Sequence, residues 1–186
     1  MAVKTFTSEI LTSSDTNTYL ANSGLVYVTN ASATTGTSLS VNNCFTSTYS
    51  AYRIIVSRAS LGGTTGMSLR MRAAGSDQAT LYYGIRSGFD YTTGVVSVSN
   101  INNGTQWELP LITDTSSAAC IIDLYNPQLL LKTQFSAQGS DARTGGLGAL
   151  ASGGMINNGT SFDGFTIFSA QTITSLNLTV YGYRLG

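Results

Sequence analysis

The chain has 186 residues and no net charge, with 42% apolar and only 10% charged residues. That length accommodates one domain with a full core, and the balanced charge excludes a surface built to neutralise a run of nucleic-acid phosphates. Histidine is absent, which removes Ser-His-Asp and Cys-His catalysis, histidine-ligated metal and any general base with a resting pKa near neutrality.

Residues 1–23 read as an N-terminal arm outside the domain. Ser13, Ser14 and Asp15 can cap a short helical turn through Thr18 and Leu20, but a segment this short cannot support itself. Its apolar residues Ile10, Leu11, Tyr19 and Leu20 are expected to lie on a neighbour, as assembly or anchoring residues. The opening has no apolar stretch of the length an export signal needs, and no run approaches the ~18 apolar residues of a membrane span. Synthesis in a cytoplasm without membrane insertion is the expectation.

From Gly24 to the end the hydrophobic period is two, and residues 24–186 form a single domain. Leu25, Val26, Tyr27 and Val28 open the first strand, and Leu39 and Val41 alternate with polar residues in the second. Residues 52–60 read as a central strand, with Tyr52, Ile54 and Val56 on one face. The cleanest alternation follows: Met67, Leu69, Met71 and Ala73 point one way and Ser68, Arg70 and Arg72 the other. A slip of one residue would bury both arginines, so the register is strongly specified. Further strands are predicted over 81–89, 95–99, 105–112, 118–126 and 129–138, with Pro127 ending a pairing because it lacks an N–H. Residues 139–154 are glycine-rich and poorly patterned, Asp163 before Gly164 reads as a hairpin turn, and strands over 164–168 and 172–184 close the chain.

Nine or ten short strands with no pattern of helical length predict an all-β antiparallel sandwich of jelly-roll type. The composition fits: Ser, Thr, Asn and Gly make up about 44% of the chain, and Thr suits strands while Asn and Gly suit turns. Four Asn-x-Ser/Thr triplets, at Asn30, Asn103, Asn158 and Asn177, are no more than such a composition yields by chance.

Candidate chemistry is sparse. Cys44 and Cys120 form no metal or redox motif and read as two buried thiols, with a disulfide between them left open. Paired carboxylates are the one catalytic route remaining, from Asp77, Asp90, Glu108, Asp114, Asp123 and Asp141. Most of these sit in Ser/Gly/Thr-rich turns, where Asp bonds the local backbone, so no enzyme, metal or cofactor is expected. Arg70 and Arg72, with Arg53 and Arg58 as possible neighbours, suggest a solvated strand face that discourages edge pairing, or else an oligomer contact. Tyr82, Tyr83, Phe89 and Tyr91 cluster along one strand and Trp107 lies on another. Core packing is one reading. The other makes Tyr82, Tyr83 and Tyr91 surface-binding residues that stack on a sugar ring.

The segments SVNNCFTSTYSAYRIIV, LRMRAAGSD, IIDLYNP and SFDGFTIFSAQTITSLNLTVYGYR together resemble a recurrent β-sandwich domain of tailed-bacteriophage virion surface proteins, of tail-fibre or particle-decoration type and marine phage-like. The opening KTFTSEILTSSDTNTYLANSG is similar to the short N-terminal stretches of phage fibre proteins. The resemblance implies a non-enzymatic module on the particle surface, assembled as a homo-oligomer, foremost a trimer, with other virion proteins and a host-surface glycan as partners. It offers no catalytic residue. A capsid decoration protein bridging capsomers is the alternative, followed by a carbohydrate-binding lectin or hydrolase.

Overall fold

The computed structural model describes residues 24–146 and 148–183; the arm, with Ile10, Leu11, Tyr19 and Leu20, lies outside the described residues. Within them the chain is all-β. In chain order the strands are β1 (Leu25–Ala33), β2 (Ser38–Val41), β3 (Ala51–Leu61), β4 (Thr65–Ala73), β5 (Ser76–Asp77), β6 (Tyr82–Asp90) and β7 (Val96–Gly104). They continue with β8 (Trp107–Thr113), β9 (Ala118–Tyr125), β10 (Gln134–Asp141), β11 (Gly148–Ile156), β12 (Gly164–Ser169) and β13 (Ile173–Tyr183).

Eight of these form a frame of two sheets. One has the order β1-β13-β3-β9 and the other β2-β12-β4-β8. Renumbered within the frame, the orders become first-eighth-third-sixth and second-seventh-fourth-fifth, the eight-stranded jelly roll of paired Greek keys. A lone parallel bridge between Asp141 and Ile112 joins the sheets on one side, and β1 runs close to β2 on the other. The whole is curved nearly into a barrel.

The core forms because each frame strand turns alternate apolar residues inward. Tyr52, Ile54, Ile122, Leu124 and Val180 from the first sheet meet Met67, Leu69, Met71, Phe165 and Ile167 from the second, all fully buried. Each such side chain contributes roughly 1.5–3 kcal/mol through removal from water. The register expected for β4 holds: its methionines and Leu69 are buried, while Arg70 and Arg72 point outward. Gly164 is required where β12 crosses the end of β2, since a Cβ there would lie 2.2 Å from the Val41 carbonyl oxygen. Pro110 sits inside β8, but at the irregularity where pairing with β4 skips from Ser68–Glu108 to Gly66–Ile112, so its missing N–H disrupts no ladder.

Several predicted elements change. Leu129, Leu130 and Leu131 are exposed loop residues, and the strand placed over 129–138 begins only at Gln134. The glycine-rich stretch 139–154 holds the end of β10 and most of β11. Gly139, Gly148 and Gly154 sit where strands approach closely: a Cβ on Gly139 would lie 2.1 Å from the Pro110 carbonyl oxygen. Asp163 is not a hairpin turn, because β11 and β12 do not pair. Instead its carbonyl accepts the Cys44 and Phe45 amides and its Oδ2 accepts the Ala74 amide at 3.0 Å. Cys44 and Cys120 are both free and buried.

Candidate functional site

The two insertions that enlarge the frame make its most prominent surface. Hairpin β6–β7 is inserted between β4 and β8, and hairpin β10–β11 between β9 and β12. They pair with one another in the order β10-β11-β6-β7, and β10 pairs with β9. The first sheet is thereby extended by a four-stranded flap, whose last strand, β7, has no described strand beyond it.

Aromatic packing fixes the flap to the frame. Tyr82, Trp107 and Phe135 are buried together; the Tyr82 and Trp107 rings meet edge-on at 5.1 Å and Trp107 and Phe135 lie 4.3 Å apart. The Trp107 indole N–H donates to the Tyr83 carbonyl at 3.2 Å. The Tyr82 hydroxyl accepts the Met71 amide and donates to the Gln78 carbonyl, both at 2.9 Å, and burial raises its pKa. Tyr82 is therefore not a surface-binding residue. As the first residue of β6 it points inward, and there its ring fills the joint. Tyr83 faces outward opposite Met155 and is half-buried; Tyr91, at the flap tip, is 69% exposed.

Beside that tip lies an open cleft of about 330 Å³, lined by Asp90, Thr93, Ser97, Asp141 and Arg143 with Phe89 and Leu150. Asp90 Oδ1 accepts the Thr92 and Thr93 amides at 2.8 Å and the Thr93 hydroxyl at 3.0 Å. These bonds, the Thr93 amide foremost, lower its pKa. A carboxyl held ionised in this way is poorly suited to be the general acid that glycoside cleavage requires. Asp141 pairs with Arg143 at 3.0 Å.

The other described carboxylates are likewise committed. Asp77 pairs with Arg72 and accepts the Thr166 hydroxyl at 2.8 Å. Glu108 lies 3.2 Å from Arg86. Asp114 accepts the Ser116 and Thr144 amides at 2.7 Å, which lowers its pKa and ties the β8–β9 turn to the loop after β10. Asp123 takes both guanidinium bonds of Arg53 at 2.8 Å and the Tyr183 hydroxyl at 2.9 Å. Burial alone would raise the Asp123 pKa, but these partners outweigh it and the net shift is downward. Burial, and next the bond to Asp123, pushes Tyr183 up to about 12. Burial also pushes both thiols up to about 12, so neither Cys44 nor Cys120 supplies a thiolate at neutral pH.

The arginine stripe is a tie across the second sheet and not a solvated face. The Arg72 side chain is only 15% exposed, bonding Asn42 at 2.8 Å, Thr166 at 2.9 Å and Ser40 at 3.3 Å besides Asp77. Arg70 donates to the Thr105 carbonyl at 3.0 Å and lies over the Phe168 ring. Edge protection is not their role, since β4 has β12 on one side and β8 on the other. Arg53 belongs to the opposite sheet, where β3 pairs with β9.

Sequence reasoning missed the flap's outer face. Ile85, Phe89, Val96, Val98 and Met155 are exposed there, and the signal was the alternation of Val96 and Val98 with serines, which marks a strand without saying which side is wet. No family model matches the chain, nor does any curated protein or solved structure.

Proposed function

We propose that the chain is a non-enzymatic structural protein of a tailed-phage particle, a tail-fibre or knob-like module displayed on the particle surface whose work is adhesion. The observation that carries the non-enzymatic part is the state of the carboxylates: each of the seven in the described residues has an arginine or backbone amide as partner. With histidine absent, both thiols protonated and these carboxylates paired, the described residues offer hydroxyls, amides and apolar surface for binding and no free acid–base pair to activate a hydroxyl. The jelly roll supplies rigidity. In this reading the arm, through Ile10, Leu11, Tyr19 and Leu20, anchors the module to other virion proteins, the polar cleft lined by Asp90, Thr93, Ser97 and Arg143 offers a host glycan hydrogen bonds, and the exposed Tyr91 ring at the neighbouring tip offers it a stacking face.

Immunogold electron microscopy of purified particles tests the reading. Labelling on the outside of the particle is expected, and a chain recovered only free in the lysate overturns it. Glycan-array binding that disappears in Tyr91→Ala is expected for the cleft; sugar release abolished by Asp90→Asn would return the protein to the hydrolases. A decoration protein bridging capsomers is the second reading, favoured by the uncharged, outward-facing flap. Copy number separates the two: hundreds per particle for decoration, a few to tens for an attachment module.

A further inference from the structure

The outer face of the flap is uncharged from edge to edge. Its outward positions are set by the pairing of β10 with β11, β11 with β6 and β6 with β7, and none holds an acidic or basic residue. Ile85, Phe89, Val96, Val98 and Met155 project from it, 40–63% exposed. They are contiguous: Phe89 lies between Val96 and Ala149, and Ser87 between Val98 and Ala151. The large side chains of β6 and β7 make a ridge beside a trough of Ala149, Ala151 and Gly153 on β11.

We propose that this face is where copies of the chain meet. The five projecting side chains present roughly 500 Å² of apolar surface, at the upper end of what monomers leave exposed. Tyr83 and the trough extend it toward the roughly 800 Å² per partner that a stable interface buries. Symmetry places the same surface on each copy, and three features make this surface fit itself. A ridge beside a trough is self-complementary in shape. An uncharged face strands no buried ion when it meets its own image. The β7 edge beside it carries no Lys, Pro or charge over Val96–Gly104, so nothing repels an approaching strand. A lipid surface would call for basic residues around the patch, and the outward positions supply none. The inference stands on this face and holds whether or not the protein belongs to a phage particle.

Sedimentation velocity on the full chain at micromolar concentration tests it. The wild type is expected at a multiple of the 19.5 kDa monomer. Val98→Lys and Ile85→Lys, both at exposed positions, are expected to weaken association at least 100-fold and give the monomer mass with unchanged circular dichroism. Leu130→Lys, 78% exposed in the loop before β10, is expected to leave the oligomer intact. A monomeric wild type overturns the inference, as do lysine variants that keep the wild-type mass. So does a chain lacking residues 1–23 that is monomeric while Val98→Lys is not, since association would then belong to the arm. Should the lysine variants misfold, Val98→Cys with a bismaleimide replaces them, because Cys44 and Cys120 are buried. Covalent multimers are expected from Val98→Cys and not from Leu130→Cys; their absence also overturns the inference.

Discussion

The jelly-roll frame and the flap are written in the same residues and the same period, yet they treat water oppositely. In β13 the apolar members Leu176, Leu178 and Val180 are all buried, and the strand has a neighbour on each side. In β7, Val96 and Val98 are more than half exposed while Ile101 alone packs toward the core, and one edge has no described strand beside it. The frame has a second sheet against its inner face; the flap is held to the frame by the β9–β10 ladder and the Trp107 joint, and Val96 and Val98 point away from that joint. Alternation therefore produces a strand in both places, and only the presence of an opposing layer decides whether the strand contributes stability or binding surface.

The largest effects should come from breaking the frame. Gly164→Ala and Gly139→Ala each force a Cβ to 2.2 Å or less from a backbone carbonyl oxygen, which no rotamer relieves. Neither variant is expected to give a cooperative thermal transition by circular dichroism, and a wild-type melting curve would show that these crossings can relax.

Next is the joint. Trp107→Ala should cost roughly 3–5 kcal/mol in denaturant unfolding. Amide exchange should rise first in β6, β7 and β11 and only later in β3 and β13, because openings of lower free energy belong to the segments with fewer buried contacts. Uniform exchange across both regions would mean that flap and frame open as one unit.

Arg72→Ala removes several bonds from a mostly buried guanidinium, leaving the Asp77 carboxylate without its counter-ion and with the Thr166 hydroxyl as its remaining side-chain donor, and should cost about 1.5–3 kcal/mol. A cost within 0.5 kcal/mol would make the stripe the solvated face that its spacing suggests.

Acid stability sharpens the comparison on the outer side of the first sheet. Asp123 has a lowered pKa in the fold, so its pairing with Arg53 stabilises above the unfolded carboxyl value near 4 and is lost as pH falls through the folded value. Arg53→Met should thus be less stable than the wild type at pH 6 by on the order of 1 kcal/mol, modest because Arg53 is 31% exposed. The gap should close as pH falls below the unfolded carboxyl value and through the lowered Asp123 value, and a gap independent of pH would assign the effect to packing. Smallest of all, Val98→Ser on the flap face should change monomer stability by less than about 0.5 kcal/mol, in keeping with a surface that does not support the fold.

The frame was largely legible because burial there obeys alternation. Met67, Leu69 and Met71 could be assigned inward and the arginines outward before any coordinates, and turn signals separated the strands. The capping Asp90 and Asp114 were legible from their Ser/Thr-rich surroundings. Strand β11 was not, since Gly148, Gly153 and Gly154 interrupt its pattern; Gly148 and Gly154 record close approach of the β6 backbone, which depends on a strand distant in sequence. Tyr82 and Tyr83 had to face opposite ways, but nothing local indicated which one met Trp107. The arginine stripe was misjudged for a related reason: Ser40, Asn42, Asp77 and Thr166 come from four separate segments, and no spacing in the chain announces that they converge on Arg72.

By itself, then, the sequence determined an all-β jelly-roll scaffold with a fixed register, no net charge and no histidine chemistry, because period, composition and residue inventory are local properties. Tertiary structure decided which strands joined which sheet, that two hairpins far apart in the chain would pair into a flap, and which apolar residues stayed in water. Those outcomes depend on what packs across from each strand, and a strand's two faces become unequal only when a second layer covers one of them.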